Sequence, residues 1–494
     1  MIKTRFAPSP TGYLHIGSLR TALYAYLFAR QKKGKLILRI EDTDQNRFVE
    51  GAVESLIRTL QWAGITYDEG PEVGGSNSPY IQSERLELYK KEVQVLLDKG
   101  QAYRCFCSME RLDEMRKEQQ ERKQAPMYDK KCRKRSHEEI HQLLEQNSPH
   151  VIRMAIPENE ILRFRDVVRG DLEFASNTID DQVLMKSDGF PTYHLANVVD
   201  DHDMGITHVI RAEEWLPSTP KHIYLYKAFE WKMPEFAHIP LILNPDKSKL
   251  SKRQGDVAVE DYRAKGYLPE AMINFIVLLG WNPGGGETNE IFSMEELIAQ
   301  FDLEKVHKSG AVFDLNRLKW INGEYLRKLS PEAFIEKYTT YLEDYATGEE
   351  KKDRKNQLKD INIHVIQALQ ARIKTWEEAG PMLDYLVNFN PNWTTLLPLM
   401  ENEKMQIDKT LAKKALQATR EDLTQATDFS SEESIKTTLM TTISKLEMKN
   451  GQVLWPLRVA LTGEAFSPGA FEMILILGKE ESLKRIGATL EQLR

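Results

Sequence analysis

The chain has 494 residues, 41% hydrophobic and 29% charged, with a formal net charge of −7 and three cysteines. That length exceeds a single core, so three or more domains are expected, and no apolar run approaches the ~20 residues of a membrane span. The acidic balance makes any nucleic-acid surface a local basic face. An odd number of cysteines confined to 105–132 argues against a secreted disulfide scaffold.

Met1-Ile2-Lys3-Thr4-Arg5-Phe6 has no apolar signal-peptide core, so the cytoplasm is the expected compartment. Residues 2–6 read as a strand entering the loop Pro8-Ser9-Pro10-Thr11-Gly12. Over 16–31 the residues Leu19, Ala22, Leu23, Tyr26 and Leu27 share one helical face, and Gly34 follows as a stop. A second strand over 35–40 runs into the acidic turn Glu41-Asp42-Thr43-Asp44, and residues 51–63 read as a helix. This strand, loop, helix, strand order opens a parallel nucleotide-binding sheet. A charged stretch over 101–195, which holds the cysteines, interrupts it. The sheet pattern resumes at 206–211, continues with a helix capped near Ser218-Thr219-Pro220, and ends in a strand over 238–243. Beyond about residue 325 the pattern is helical, with polar linkers such as 348–355. No repeat of solenoid period is present.

Two motifs carry the chemistry. In His15-Ile16-Gly17-Ser18 a helix start presents free backbone N–H groups to phosphate. Gly17 leaves room for a flat purine or ribose, and His15 offers a ring N–H to a phosphate oxygen. Lys249-Leu250-Ser251-Lys252-Arg253 is a cationic loop in which Lys249 and Lys252 offer charge to the β- and γ-phosphates. Alone, the first is ordinarily a glycine turn beside a solvated histidine, and the second a solvated surface loop. Together, on one sheet edge, they make two halves of an ATP site.

With these residues the chain resembles the class I aminoacyl-tRNA synthetases, and among them the bacterial glutamyl-tRNA synthetases. The two motifs match the family's two signatures, the second in its glutamyl form. The stretches 5–12, 39–44, 189–201, 211–215 and Leu279-Gly280-Trp281-Asn282-Pro283 are also similar. The similarity covers residues 1 to about 330, while the tail matches in length and character. Two positions depart from the pattern. Ser18 stands where many class I enzymes carry histidine, so no role of that histidine transfers, and Arg253 replaces the usual serine.

The resemblance implies an α/β Rossmann-like parallel-sheet catalytic head with an inserted α+β acceptor-binding domain, followed by an all-α anticodon-binding tail. Its divisions are a catalytic domain split over 1–100 and 196–255, the acceptor-end-binding insertion 101–195, and a stem-contact domain 256–325. Two helical anticodon-binding subdomains follow, 326–390 and 391–494. It implies ATP-dependent ligation of L-glutamate to the 3′ end of tRNA(Glu) through glutamyl-adenylate, releasing AMP and diphosphate. The implied partners are Mg2+-ATP, L-glutamate and tRNA(Glu), with no membrane, for a monomer. His15 and Lys252 are the implied catalytic residues, and Gly17, Ser18, Leu243, Lys249, Ser251 and Glu214 complete the ATP site.

A glutamate substrate has two carboxylates and one ammonium, so its pocket needs arginines and a carboxylate. Arg5, Glu41 and Arg211 meet that need at strand ends. By resemblance, Arg5 and Arg211 hold the two carboxylates, Glu41 holds the ammonium, and Ala7, Ser9, Tyr193 and Asn197 complete the pocket. The alternative makes Arg39, Glu41 and Asp42 a surface ion cluster. Arg211 also disfavours glutamine, whose amide does not call for a guanidinium.

Cys105, Cys107 and Cys132 supply three soft ligands for a structural zinc, with Tyr128, His137 or His141 as a fourth. A Tyr-x-x-x-Cys arrangement like Tyr128 and Cys132 occurs among relatives. The alternative is three reduced, packed cysteines. The basic stretch Arg111 to Arg135 lies in the insertion that in relatives grips the tRNA acceptor end, although most charge runs are solvated faces. The segment Gln370 to Trp376 falls in the implied anticodon-binding region, where the tail decides whether a glutamine tRNA is charged as well. A base-glutamylating paralogue lacks such a tail, and a silent nucleotide- or RNA-binding head has no need of His15, Lys252 and the full pocket.

Overall fold

The computed structural model describes residues 1–250, 258–284, 289–359, 361–387 and 389–493. They form two compact units, Met1–Arg263 with Pro269–Arg317 and Ala264–Leu268 with Leu318–Arg494. The Ser251, Lys252 and Arg253 part of the second motif lies outside the described residues.

In the first unit strand β1 (Lys3–Phe6) pairs in parallel with β2 (Lys35–Leu38), and helix α1 (Ile16–Gln31) makes the crossover. β8 (His208–Ala212) runs beside β1, tied by Thr207 N–H donating to the Lys3 carbonyl at 2.9 Å, and pairs in parallel with β9 (Glu235–Ile239). The carboxyl ends of β1, β2 and β8 therefore share one edge, where open parallel sheets bind ligands.

α1 shows more burial than its single predicted face. Arg20, Tyr24, Ala25, Phe28 and Ala29 are buried as well as Leu19, Ala22, Leu23 and Leu27. The reason is a second layer. Helix Pro269–Leu278 and the segment reaching Phe301 pack on the far side, with the Tyr24 hydroxyl donating to the Val277 carbonyl at 2.9 Å and its ring 5.1 Å from that of Phe301. Fully burying each leucine stabilises this layer by roughly 1.5–3 kcal/mol.

The inserted stretch builds an antiparallel sheet in the order β3–β4–β7, from Ala102–Cys105, Val151–Met154 and Val183–Met185. Its hairpin, β5 (Ile161–Asp166) and β6 (Gly170–Ala175), instead joins the main sheet, where Asp166 pairs in parallel with Phe236 of β9. Leu162, Phe164, Leu184, Leu195, Val209 and Phe236 share one apolar core, so insertion and head are packed together. The strand expected over 238–243 is split into β9 and the short β10 (Ile242–Leu243). Pro240 lies in the gap and has no N–H for a ladder. β10 pairs with β11 (Ala311–Val312).

Among its described residues the second unit is helical from Leu318 onward. The expected polar linker over 348–355 is part of a helix, Gly348–Lys359. Glu349 and Glu350 sit in its first turn, where the helix dipole favours acids, and Arg354 pairs with Asp384. Trp376, in the segment that falls in the implied anticodon-binding region, is a core residue. It is buried, edge-on to Phe334 at 4.8 Å, and its backbone N–H donates to the Gly266 carbonyl at 3.1 Å. Gly266 has φ +81°, and a Cβ there would fall 2.5 Å from Trp376 Cβ. Among the described residues no helix is long and apolar enough to cross a membrane.

Candidate active site

The shared strand edge opens into a cleft of about 920 Å³. Arg5, Ala7, Ser9, His15, Gly17, Ser18, Glu41, Tyr193, Asn197, Arg211, Glu214 and Lys249 all line it. Residues widely separated in the sequence thus meet at one surface. Leu243 is not among the lining residues; the neighbouring Leu241 and Ile242 are. The Leu243 side chain packs against Gly310 instead, where a Cβ would fall 2.7 Å from its Cδ1.

His15 is the N-cap of α1. Its Nδ1 accepts the Ser18 backbone N–H at 3.1 Å, and its Nε2 lies 3.0 Å from Ser18 Oγ. Since Nδ1 accepts, the geometry assigns the ring proton to Nε2. A Cβ at Gly17 would lie 3.2 Å from His15 Nδ1, so glycine keeps the ring in place.

Arg39, Glu41 and Asp42 are buried, not a surface cluster. Arg39 Nη2 donates to Glu41 Oε1 at 2.9 Å and Nη1 to Asp201 Oδ1 at 2.7 Å. Arg5 Nε donates to Asp201 at 3.2 Å, and Asn197 Nδ2 to Glu41 Oε1 at 3.3 Å. Arg85 Nε donates to Asp200 at 2.8 Å, and the Tyr89 hydroxyl to the same carboxylate at 2.9 Å. Three arginines and three carboxylates thus pair with one another, as buried charges must, although Arg39 Nε makes no hydrogen bond and lies 3.6 Å from Asp200. Burial pushes the Glu41 carboxyl up despite Arg39 and Arg5. Burial also works to raise Asp201, but Arg5 and Arg39 outweigh it and hold that carboxyl below its usual value.

Arg211 is bound differently. Its Nε donates to His238 Nε2 at 3.0 Å, Nη1 to the Tyr193 hydroxyl at 3.0 Å, and Nη2 to Thr219 Oγ1 at 2.9 Å. Nη1 also lies 3.1 Å from His222 Nδ1, and His222 Nε2 lies 3.1 Å from His194 Nδ1. Burial, and then neighbouring Lys221 and Arg211, bring His194 down to about 3. Burial and Arg211 hold His222 well below its ordinary value.

Several lining residues were not signalled as site residues by sequence. Trp215 is 38% exposed with its ring 4.4 Å from that of Tyr193. Lys186 also lines the cleft, donating to the Thr43 carbonyl at 3.3 Å. Trp215 sits in the similar stretch 211–215, which was the available signal; Lys186 had none. Lys249 forms an ion pair with Glu214.

Apart from this cleft, the sulfurs of Cys105, Cys107 and Cys132 all lie within 4.8 Å of one another, with Cys107 and Cys132 at 3.6 Å. The Tyr128 hydroxyl is 3.3 Å from both Cys105 Sγ and Cys107 Sγ. Tetrahedral Zn–S bonds of ~2.3 Å imply sulfur separations of about 3.8 Å, so these donors fit zinc. His137 and His141 are exposed on the helix His137–Glu145 and do not join the cluster. The hydrogen bond with Cys132 and burial push Cys105 up, while the hydrogen bond from Cys105 draws Cys132 down. On the basic stretch Arg116 pairs with Asp113 and Arg122 with Glu118, while Lys117, Lys123, Lys131 and Lys134 are exposed.

The sequence matches the family model for the catalytic domain of class I tRNA synthetases (E and Q) over residues 1–320. It matches an anticodon binding domain over 333–490. It is 45% identical over 498 residues to the glutamate–tRNA ligase of Clostridium botulinum, covering 100% of this chain and 99% of that protein. It is also 45% identical over 501 residues to the enzyme of the same name from Chloroherpeton thalassium, covering 100% and 98%. The fold resembles a glutamate tRNA ligase from Elizabethkingia meningosepticum solved in complex with its amino acid. That match has a TM-score of 0.84 and 37% identity, and covers 100% of both chains.

Proposed function

Because the chain belongs to the class I tRNA synthetases of the glutamate and glutamine type, we propose that it joins L-glutamate to the 3′ end of tRNA(Glu). ATP is consumed through glutamyl-adenylate, and AMP and diphosphate are released. The carrying observation is that Arg5, Glu41 and Arg211 line the same cleft as His15 and Lys249. A dicarboxylic amino acid and a nucleotide triphosphate have matching groups there. The test is charging of purified tRNA(Glu) and tRNA(Gln) with labelled glutamate and ATP. Charging of tRNA(Glu) is expected, and its absence with folded protein overturns the reading.

In the first step the glutamate α-carboxylate attacks the α-phosphate and diphosphate leaves. In the second, the 2′-hydroxyl of the terminal adenosine attacks the acyl carbon and AMP leaves. No side chain forms a covalent bond; catalysis is positioning and electrostatic stabilisation. His15 hydrogen-bonds a phosphate oxygen through Nε2–H as charge builds there, keeping its proton, with Lys252 and Lys249 on the outer phosphates. Gly17, Ser18, Ser251 and Glu214 complete the nucleotide site. Arg5 and Arg211 hold the carboxylates. Glu41 holds the ammonium, and both of its bonds among the described residues use Oε1, leaving Oε2 for the ligand. Ala7, Ser9, Tyr193 and Asn197 close the pocket.

Mg2+ accompanies ATP in this class, neutralising phosphate charge. Cys105, Cys107, Cys132 and Tyr128 hold a structural zinc away from the chemistry. Within this reading residues 1–100 and 196–255 are the catalytic domain, 101–195 grip the acceptor end and 256–325 contact the stem. Residues 326–390 and 391–494 read the anticodon. The protein works as a cytoplasmic monomer.

A further inference from the structure

Arg211 differs from Arg5, which also lines the cleft, and from Arg39 and Arg85 behind it, in what it is bonded to. Arg5, Arg39 and Arg85 each contact a carboxylate directly. Among the described residues Arg211 contacts none. Its partners are two imidazole nitrogens and two hydroxyls, and the Phe236 ring lies 5.4 Å from its guanidinium carbon. Arg211, His222, His238 and Thr219 are all buried. We infer that His222 and His238 are positioning residues that fix the Arg211 guanidinium through neutral acceptors, leaving its charge uncompensated for a carboxylate of the substrate. This rests on the reading that Arg211 holds such a carboxylate.

The bonding geometry requires both rings to be neutral. His238 Nε2 faces Arg211 Nε–H at 3.0 Å, so a proton there would set donor against donor. Its proton sits on Nδ1, which donates to Asp166 Oδ2 at 2.5 Å. Asp166 is itself held by the backbone N–H groups of Val168 at 3.0 Å, Arg169 at 2.8 Å and His238 at 3.1 Å. The acid thus orients the imidazole and reaches Arg211 only through it. His222 likewise turns Nδ1 to Arg211 and Nε2 to His194. A carboxylate at either position would bond the guanidinium as well and also cancel its charge. An unpaired buried guanidinium is costly in the empty protein, and a substrate carboxylate relieves that cost.

The test is steady-state charging of tRNA(Glu) by the full chain. Losing an acceptor to a charged donor should raise the glutamate KM roughly 10- to 100-fold. His238→Leu is expected to do so with the ATP KM unchanged, and His238→Gln, whose amide oxygen can stand in for Nε2, to restore most of the affinity. His222→Asp, which supplies a compensating charge, is expected to raise the glutamate KM without weakening ATP. His222→Leu and His222→Asn repeat the comparison at the second acceptor, should a His238 variant fail to fold. Equal losses for ATP and glutamate, or no rescue by Gln and Asn, would reduce the histidines to packing and overturn the inference. Arg211→Gln separates the two claims. If it leaves the glutamate KM unchanged, the pocket reading falls and the inference with it. If it raises that KM while the leucine variants do not, only the inference falls.

Discussion

The ring of His15 closes on Ser18 from both nitrogens, accepting the Ser18 backbone N–H at 3.1 Å and lying 3.0 Å from its hydroxyl. The position where many class I enzymes carry a second histidine is thus filled by a residue that orients the first. The cap fixes the ring at the helix start, beside the backbone N–H groups that suit phosphate.

His15→Ala should cost about 2.7–4 kcal/mol of transition-state stabilisation, or 10²–10³ in rate, as for removal of one oxyanion donor. Loss of the N-cap should cost a separate ~1 kcal/mol of stability. Single-turnover charging and urea unfolding measure the two effects. A rate loss under tenfold in folded protein refutes the catalytic role. Ser18→Ala keeps the backbone cap and should cost far less.

Lys252→Ala should cost a similar 10²–10³ in rate if that ammonium carries charge for the leaving diphosphate. The same single-turnover assay applies, with the ATP KM read alongside. An unchanged rate would return the loop to the status of a solvated surface segment.

Asp201 bridges Arg5 and Arg39, so Asp201→Ala leaves two buried guanidinium groups short of a partner. A loss of about 3–5 kcal/mol is expected from breaking such a buried pair. The glutamate KM should rise too, because Arg5 loses its anchor. Urea unfolding followed by charging kinetics checks both.

The two carboxylates respond oppositely to pH. Asp201 is held below its ordinary value, so its stabilisation is present above the unfolded value of about 3.9 and is lost as pH falls through the lower folded value. Asp201→Asn should flatten that part of the acid-unfolding curve. Glu41 is raised, so its protonated form is favoured in the fold, and that contribution is lost as pH rises through the raised value. Ammonium binding needs the ionised form. Glutamate affinity should therefore weaken on acidification sooner than for an ordinary carboxylate, and Glu41→Gln should lose that dependence along with most of the affinity. Calorimetric titration of glutamate across pH measures this directly.

Elemental analysis should find about one zinc per chain, and chelation or Cys132→Ser should lower the unfolding temperature while leaving the KM values for ATP and glutamate unchanged. Absence of metal in protein purified without chelators would leave three packed thiols.

Much of this protein is determined locally and is readable in the sequence alone. The strand and helix order of the head, the helix start at Ile16 and the chemical types needed for ATP and glutamate depend on neighbours in the chain. The errors arise where distant residues decide. The extra burial of α1 came from a layer some 250 residues further on, beyond the reach of a periodicity window. The 348–355 stretch, expected as a linker, is helix, and Arg354 pairs from it with Asp384 of a later helix. In the cleft, sequence supplied Arg5, Glu41 and Arg211 as charges. Only the tertiary structure decided that Arg5 is paired to an acid while Arg211 is held by neutral rings. A side chain's type is local, but whether its charge is spent or available depends on what the fold brings within about 3 Å of it.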